Sequence, residues 1–232
     1  MSQDTFGDRM KRFETVSQSK LMRRTPVIIR LDGKAFHTFT KGCTRPFDFV
    51  LHDALSRTTQ TLCNSIQGAV FAYRQSDEIS ILLKDWTTFE TDAWFDGNIQ
   101  KIVSVAASIC TASFAAEFQH LSGKTALFDA RVFNIPFEEV TNYFLWRQQD
   151  ATRNSINSLA QSHFSHKQLQ GKNVSQVQDM LMLQKGVNWN DVPTKFKRGV
   201  CVDANACGFH IDNEPPIFSQ DREYIEKYLI RE

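Results

Sequence analysis

The order of its predicted elements constrains this chain most. Four short runs rich in β-branched and aromatic residues are spaced by two segments of helical periodicity. In Val27-Ile28-Ile29-Arg30-Leu31 the β-branched residues run together as in a buried strand, and Asp32-Gly33 ends it. Phe47 to Ile66 then places Phe47, Val50, Leu51, Leu55, Thr58, Leu62 and Ile66 on one helical side. Ala69-Val70-Phe71-Ala72-Tyr73 and Ile79-Ser80-Ile81-Leu82-Leu83 read as two more strands. The insert between them, Arg74-Gln75-Ser76-Asp77-Glu78, is a hairpin connection or the twisted crossing of two paired strands. Asn98 to Phe118 predicts a long small-residue helix of the kind that packs on a sheet, and Phe128 to Pro136 a fourth strand. An amphipathic helix from Asp4 to about Lys20, carrying Phe6, Met10, Phe13 and Val16, leads the series. The β-α-β-β-α-β order predicts an α+β fold, an antiparallel sheet with helices on one face.

From Glu138 the character changes. Helical stretches at about Glu138 to Phe164 and Ser175 to Lys185 are followed by the basic segment Lys195-Phe196-Lys197-Arg198-Gly199, an apolar strand-like piece and a charged C-terminal helix. Residues 1–137 are therefore expected to form the catalytic domain and 138–232 a helical extension packed on it.

A formal net charge of +1 over 232 residues argues against a uniformly basic surface, so contact with nucleic acid must come from local clusters. Five scattered cysteines form no C-x-x-C unit. Cys201, Cys207 and His210 lie close together but lack a fourth metal ligand, and free thiols fit a reducing, cytoplasmic setting. No apolar run is read as long enough to cross a bilayer, and the charged stretch from Met1 to Glu14 lacks a signal core. The expectation is a soluble cytoplasmic protein with no membrane partner.

The chemistry is expected where strands end. In this element order the first and third strands are central neighbours, which brings Asp32 towards the turn holding Asp77 and Glu78. Facing carboxylates repel unless cations fill the gap, and two Mg²⁺ ions about 3.5–4 Å apart are a common solution for phosphoryl chemistry. The Gly33 carbonyl can add a hard oxygen ligand. Taken singly, Asp-Gly and Ser-Asp are ordinary turn pairs; together with the strand order they favour a metal site. Lys34, His37, Lys41 and Arg45 supply positive charge for a triphosphate, or form a solvated basic loop. At helical spacing Gln149, Arg153 and Asn157 share a face, as do Asp150 and Asn154, and such faces grip phosphate or sugar or are simply wet. Lys195, Lys197 and Arg198 form the most basic downstream patch, a nucleic-acid contact or a surface without function.

RLDGKAFHTFT (Arg30 to Thr40), QSDEIS (Gln75 to Ser80), FDARVFNIP (Phe128 to Pro136) and NYFLWRQQDATRNSIN (Asn142 to Asn157) resemble, in order, the motifs of the tRNA-histidine guanylyltransferase family. That family polymerises 3′ to 5′ on a palm-like domain. The resemblance implies that Asp32, Asp77 and Glu78 are catalytic, and that Asp32, Asp77 and the Gly33 carbonyl hold two Mg²⁺. It also implies that Gly33, Lys34, Ala35, Phe36, His37, Arg45, Ser76 and Asn154 bind nucleotide or triphosphate. Arg131, Arg153, Lys195, Lys197 and Arg198 are expected to touch tRNA. Arg45-Pro46 stands where the family has Lys before Pro. Thr152-Arg153-Asn154-Ser155-Ile156-Asn157 replaces the eukaryotic His-Ile-Asn-Asn-Leu-Tyr-Asn signature, so the chain looks like the bacterial and archaeal guanylyltransferase-like branch.

The implied function is templated repair of tRNA 5′ ends, by ATP-dependent 5′ adenylylation and then nucleotide addition. Partners would be tRNA, ATP, GTP and other nucleoside triphosphates, in a homotetramer. A guanylyltransferase proper, a palm-fold nucleotide cyclase and an RNA-binding protein without catalysis are the alternatives.

Overall fold

β-branched runs separated by helices of alternating burial produce one open sheet in the computed structural model, which describes residues 4–119 and 123–230. Met1 to Gln3 of the charged N-terminal stretch lie outside the described residues. In chain order the elements are α1 (Phe6–Thr15), β1 (Val27–Gly33), α2 (Phe36–Phe39), α3 (Phe49–Ser65), β2 (Ala69–Gln75), β3 (Glu78–Leu83), α4 (Ile99–Glu117) and β4 (Phe128–Asn134). Then come α5 (Phe137–His163), α6 (His166–Leu169), α7 (Val174–Lys185), α8 (Thr194–Lys197), β5 (Val200–Asn205), β6 (Gly208–Asp212) and α9 (Glu223–Glu226). The strand order is β4-β1-β3-β2-β5-β6, antiparallel throughout. The first and third strands are neighbours as expected, in register from Val27 opposite Leu83 to Leu31 opposite Ile79.

Side chains alternate across the pleat, so β1 feeds two cores. Ile29 and Leu31 join Ile79, Ile81 and the buried faces of α3 and α4. Ile28 joins Phe71, Tyr73 and Leu82 under Val140 and Phe144 of α5, with Phe218 and Ile225 from the C-terminal segment. The palm-like part thus has its two crossover helices on one face, and the extension covers the other. The extension is not purely helical: β5 pairs with β2 and brings β6 with it, widening the sheet from four strands to six. In Val200-Cys201-Val202 all three residues are buried, which is why the strand-like piece found a sheet edge. The distal half of α5 packs through Ile156, Leu159 and Ala160 on Val177 and Leu181 of α7.

Two sequence expectations need correction. The leading helix stops at Thr15 instead of Lys20. Beyond it the backbone is captured by tertiary hydrogen bonds, Ile99 N–H to the Ser19 carbonyl (3.0 Å) and Leu21 N–H to the Gly97 carbonyl (2.9 Å). None of α1 is buried. Secondly, α4 does have the length and composition of a membrane span, 19 residues with a mean hydropathy of 1.4. Its Ala and Ser content disguised that apolarity in the sequence. Ile102, Ala106, Cys110 and Phe114 seat it in the first core.

Candidate active site

At Gly33 the end of β1 meets the β2–β3 turn. A Cβ there would lie 2.7 Å from an Asp77 carboxylate oxygen and would overlap the Phe36 ring, so a larger residue would displace the Asp77 carboxylate or the ring. Ser76, at φ 48°, holds the turn in a left-handed conformation, a cost of the kind retained at functional sites. Its hydroxyl donates to Asp77 Oδ1 at 2.9 Å. Asp32 and Asp77 line one cavity of about 970 Å³. Burial pushes both carboxyls above the ordinary range. Glu78 adds repulsion at Asp32, partly offset by Arg30 and Arg131, and Asp32 and Glu78 add it at Asp77 against the hydrogen bonds from Ser76 and the Asp77 backbone. No lysine or arginine forms an ion pair with either aspartate among the described residues.

Glu78 behaves differently. Arg30 Nη2 donates to its Oε2 at 2.5 Å, and Arg147 Nη1 donates to both of its oxygens at 2.8 and 3.0 Å. Arg147 also bonds Asp150 at 3.2 Å and has the Trp146 ring against its guanidinium at 3.6 Å. Both Glu78 oxygens are thus engaged by cations from β1 and α5, and Glu78 ties the two elements to β3. The hard-oxygen set with open valence is Asp32, Asp77 and the Gly33 carbonyl. No cluster of three His, Cys, Asp or Glu side chains able to hold a metal occurs among the described residues. Two mutually repelling carboxylates that form no ion pair among the described residues, on a cavity that Gly33 also lines, nevertheless suit hard divalent cations.

The rest of the lining comes mainly from α2, the loop after it, α3, α5 and α8. Ala35, at φ 51°, starts α2, whose first turn leaves the N–H groups of Phe36 and His37 without an intrahelical acceptor. Ala35, Phe36, His37 and Arg45 line the cavity on this side, and Asn154 and Asn157 of α5 with Lys195 of α8 line the other. Lys34 does not: its backbone N–H goes to the Leu127 carbonyl at 2.8 Å and its side chain is outside the lining. Arg131 is also outside, exposed on β4 at 3.6 Å from Asp129. Arg153, Lys197 and Arg198 surround a second cavity behind α5. The expected Gln149–Arg153–Asn157 face is therefore split, the first two on the second cavity and Asn157 on the first. Two steps of four residues rotate a helix by about 80°, enough to carry Asn157 round the side. Asp150 and Asn154, one step apart, stay together. All five cysteines are free thiols; Cys201 is buried in β5 and Cys207 is exposed.

Sequence reasoning missed Arg30, Arg147, Arg74 and His52. Arg74 is buried and forms no ion pair among the described residues; its Nη2 donates to His52 Nε2 at 2.5 Å and to Ser56 Oγ at 3.1 Å, and its Nη1 to the Ser76 carbonyl at 3.1 Å. Arg74 thus braces the turn that aims Asp77. Burial, and then Arg74, push His52 down to about 2, so its ring stays neutral and accepts from the guanidinium. The available signal was a charged residue at a position where strand alternation demands an apolar one.

An open antiparallel palm-like sheet that delivers two aspartates without ion-pair partners into a cavity lined by arginine and amide groups is that of a nucleotidyltransferase, as the family match bears out. This chain belongs to the tRNA(His) guanylyltransferase family, whose model matches residues 7–136. It is 46% identical to a bacterial tRNA(His) guanylyltransferase-like protein solved in complex with ATP, over 98% of this chain and 100% of that one, with a TM-score of 0.94. A bacterial tRNA(His) guanylyltransferase-like protein in complex with GTP aligns at 44% identity over 97% and 99%, TM-score 0.85. The tRNA(His) guanylyltransferase of Saccharomyces cerevisiae is 25% identical over 98% of this chain and 100% of its own length.

Proposed function

We propose that this protein rebuilds tRNA 5′ ends by 3′-to-5′ nucleotide addition templated by the opposite acceptor strand, with Asp32, Asp77 and the Gly33 carbonyl holding two Mg²⁺. The observation that carries the reading is that Asp32, at the end of β1, and Asp77, in the β2–β3 turn, line one cavity, repel each other and form no ion pair among the described residues. The close likeness to proteins solved with ATP and with GTP supports a nucleotide in the adjoining cavity. When bound, divalent cations acidify an attacking hydroxyl and take up charge on a leaving phosphate oxygen.

The residues of this chain do the positioning. The first-turn N–H groups of α2, Arg45 and the Ser76 hydroxyl hold the triphosphate, and Asn154 holds a second nucleotide. In the first step an oxygen of the tRNA 5′-monophosphate bonds to the α-phosphorus of ATP and pyrophosphate leaves. In the second, the 3′-hydroxyl of the incoming nucleotide loses its proton, bonds to the 5′-phosphorus, and AMP leaves. Neither step needs a covalent enzyme intermediate, so the rate comes from alignment and charge stabilisation. The exposed apolar side of α1, with Phe6 at 72% and Phe13 at 74% exposure, supports self-association, and the family resemblance implies a homotetramer.

The test incubates purified protein with Mg²⁺ and all four nucleotides, alongside a tRNA lacking its first residue and a full-length tRNA(His) transcript. Repair predicts addition to the truncated tRNA of whichever nucleotide pairs with the opposite strand. Exclusive guanosine addition to full-length tRNA(His) would overturn it.

A further inference from the structure

Another face of α5 walls the second cavity, of about 500 Å³, which the chemistry above does not use. Arg153, Lys197 and Arg198 reach it, and no acidic residue lines it among the described residues. Arg153 is offset by Asp150 at 2.9 Å, but no carboxylate pairs with Lys197 or Arg198 among the described residues. Lys197 Nζ donates to the Asn190 carbonyl at 2.6 Å and stands 5.4 Å from the centre of the Trp189 ring. Arg198 makes a long contact to Thr194 Oγ1 at 3.4 Å, and its buried Nε has no partner. On a chain whose net charge is only +1, Lys197 and Arg198 without ion-pair partners among the described residues, beside Arg153, make this concavity a distinct electropositive feature.

The two cavities share their walls. Asp150 and Asn154 of α5 face the first, Gln149 and Arg153 the second. The Lys195-Phe196-Lys197-Arg198 segment is divided likewise, Lys195 to the first and the other two cations to the second. Trp189 lines the second cavity while its indole N–H donates to Ser155 Oγ, on the wall of the first, at 3.1 Å. A helix with its side chains is about 10–12 Å thick, so a ligand that engages both sides must be longer than one phosphate group.

We propose that this second cavity holds the sugar–phosphate backbone of the RNA whose 5′ end is presented to Asp32 and Asp77, an inference that rests on the function proposed above. A nucleoside triphosphate travels with Mg²⁺ and is bound where carboxylates can help hold that ion; this cavity offers none. A phosphodiester carries a single charge and no obligatory metal, and guanidinium and ammonium donors suit it. Trp189, Leu145 and Ile217 provide apolar surface against which a ribose or base can lie.

The test measures binding of a tRNA across a salt series, and of ATP with Mg²⁺ in the absence of RNA, for the wild type, Lys197→Ala, Arg198→Gln and, as a remote exposed control, Lys172→Ala. Melting curves confirm that each variant is folded, and Lys197→Glu, which reverses the charge, is expected to lose more tRNA affinity than Lys197→Ala. The expected result is about a tenfold loss of tRNA affinity at low salt for Lys197→Ala and Arg198→Gln, with the salt slope reduced by about one for each. ATP affinity stays at the wild-type value, and Lys172→Ala binds tRNA normally. Equal tRNA binding by wild type and variants, an equal loss for Lys172→Ala, or a parallel loss of ATP affinity overturns the inference. Failure of the wild type itself to bind tRNA would instead overturn the proposed function.

Discussion

Asp77 is half-buried, with the Ser76 hydroxyl and its own backbone N–H directed at its carboxylate and no ion-pair partner among the described residues. Desolvation and the neighbouring acids raise its pKa on folding, as they do for Asp32. A carboxyl raised in this way favours the protonated folded state, so its contribution is stabilising below its ordinary value near 3.8 and is lost as pH rises through the folded value. At neutral pH, without metal, the ionised pair is a cost. Chelator-treated Asp77→Asn is therefore expected to melt above the wild type at pH 7.5, the gap closing as pH falls towards 4. Added Mg²⁺ is expected to raise the wild-type melting temperature and leave the variant unmoved, because binding to the folded state alone stabilises it. Thermal melts across pH with and without Mg²⁺ check both effects, and a gap indifferent to pH and metal refutes the assignment. Asp32 and Asp77 were legible as residues because acids at the ends of apolar strands are conspicuous. The role of Glu78 was not, because its arginine partners lie 48 and 69 residues away in sequence.

At the scale of elements, the Arg30–Glu78–Arg147 group couples β1, β3 and α5, and the site depends on that coupling. Side-chain exposure is 11% for Glu78 and 5% for Arg147, so removing the carboxylate strands buried cationic charge. Glu78→Ala is expected to cost about 3–5 kcal/mol in urea unfolding, well beyond the loss for an exposed pair such as Arg222–Glu226, which is worth at most about 1 kcal/mol. A loss below 1 kcal/mol for Glu78→Ala would show the group to be dispensable to the fold. The C-terminal segment is fastened to the same helix by Gln148, whose side chain donates to the Pro216 carbonyl at 2.8 Å and accepts from Phe218 N–H at 2.9 Å. Periodicity located α5 to within a residue at each end, yet it could not say how Asp150, Arg153 and Asn157 divide between two cavities. That division depends on which surfaces abut the helix.

For the molecule as a whole, α1 projects an exposed apolar side formed by Phe6, Met10 and Phe13, none of which joins a core among the described residues. If it mediates association, Phe6→Glu combined with Phe13→Glu lowers the sedimenting mass while leaving the protomer's melting temperature within a degree or two, since neither ring contributes to a core. An unchanged mass would assign that face elsewhere. What the sequence determined unaided was the succession of elements, the adjacency of β1 and β3 and the placing of two aspartates at their ends. Those follow from local periodicity and the small set of topologies that a β-α-β-β-α-β order allows. Tertiary structure alone decided that β5 and β6 would extend the sheet, that Arg74 and His52 would be buried behind the Asp77 turn, and that a second basic cavity would open behind α5. Each of these requires groups far apart in the chain to meet, and the energies that settle such meetings, desolvation and charge pairing, leave no period in the sequence.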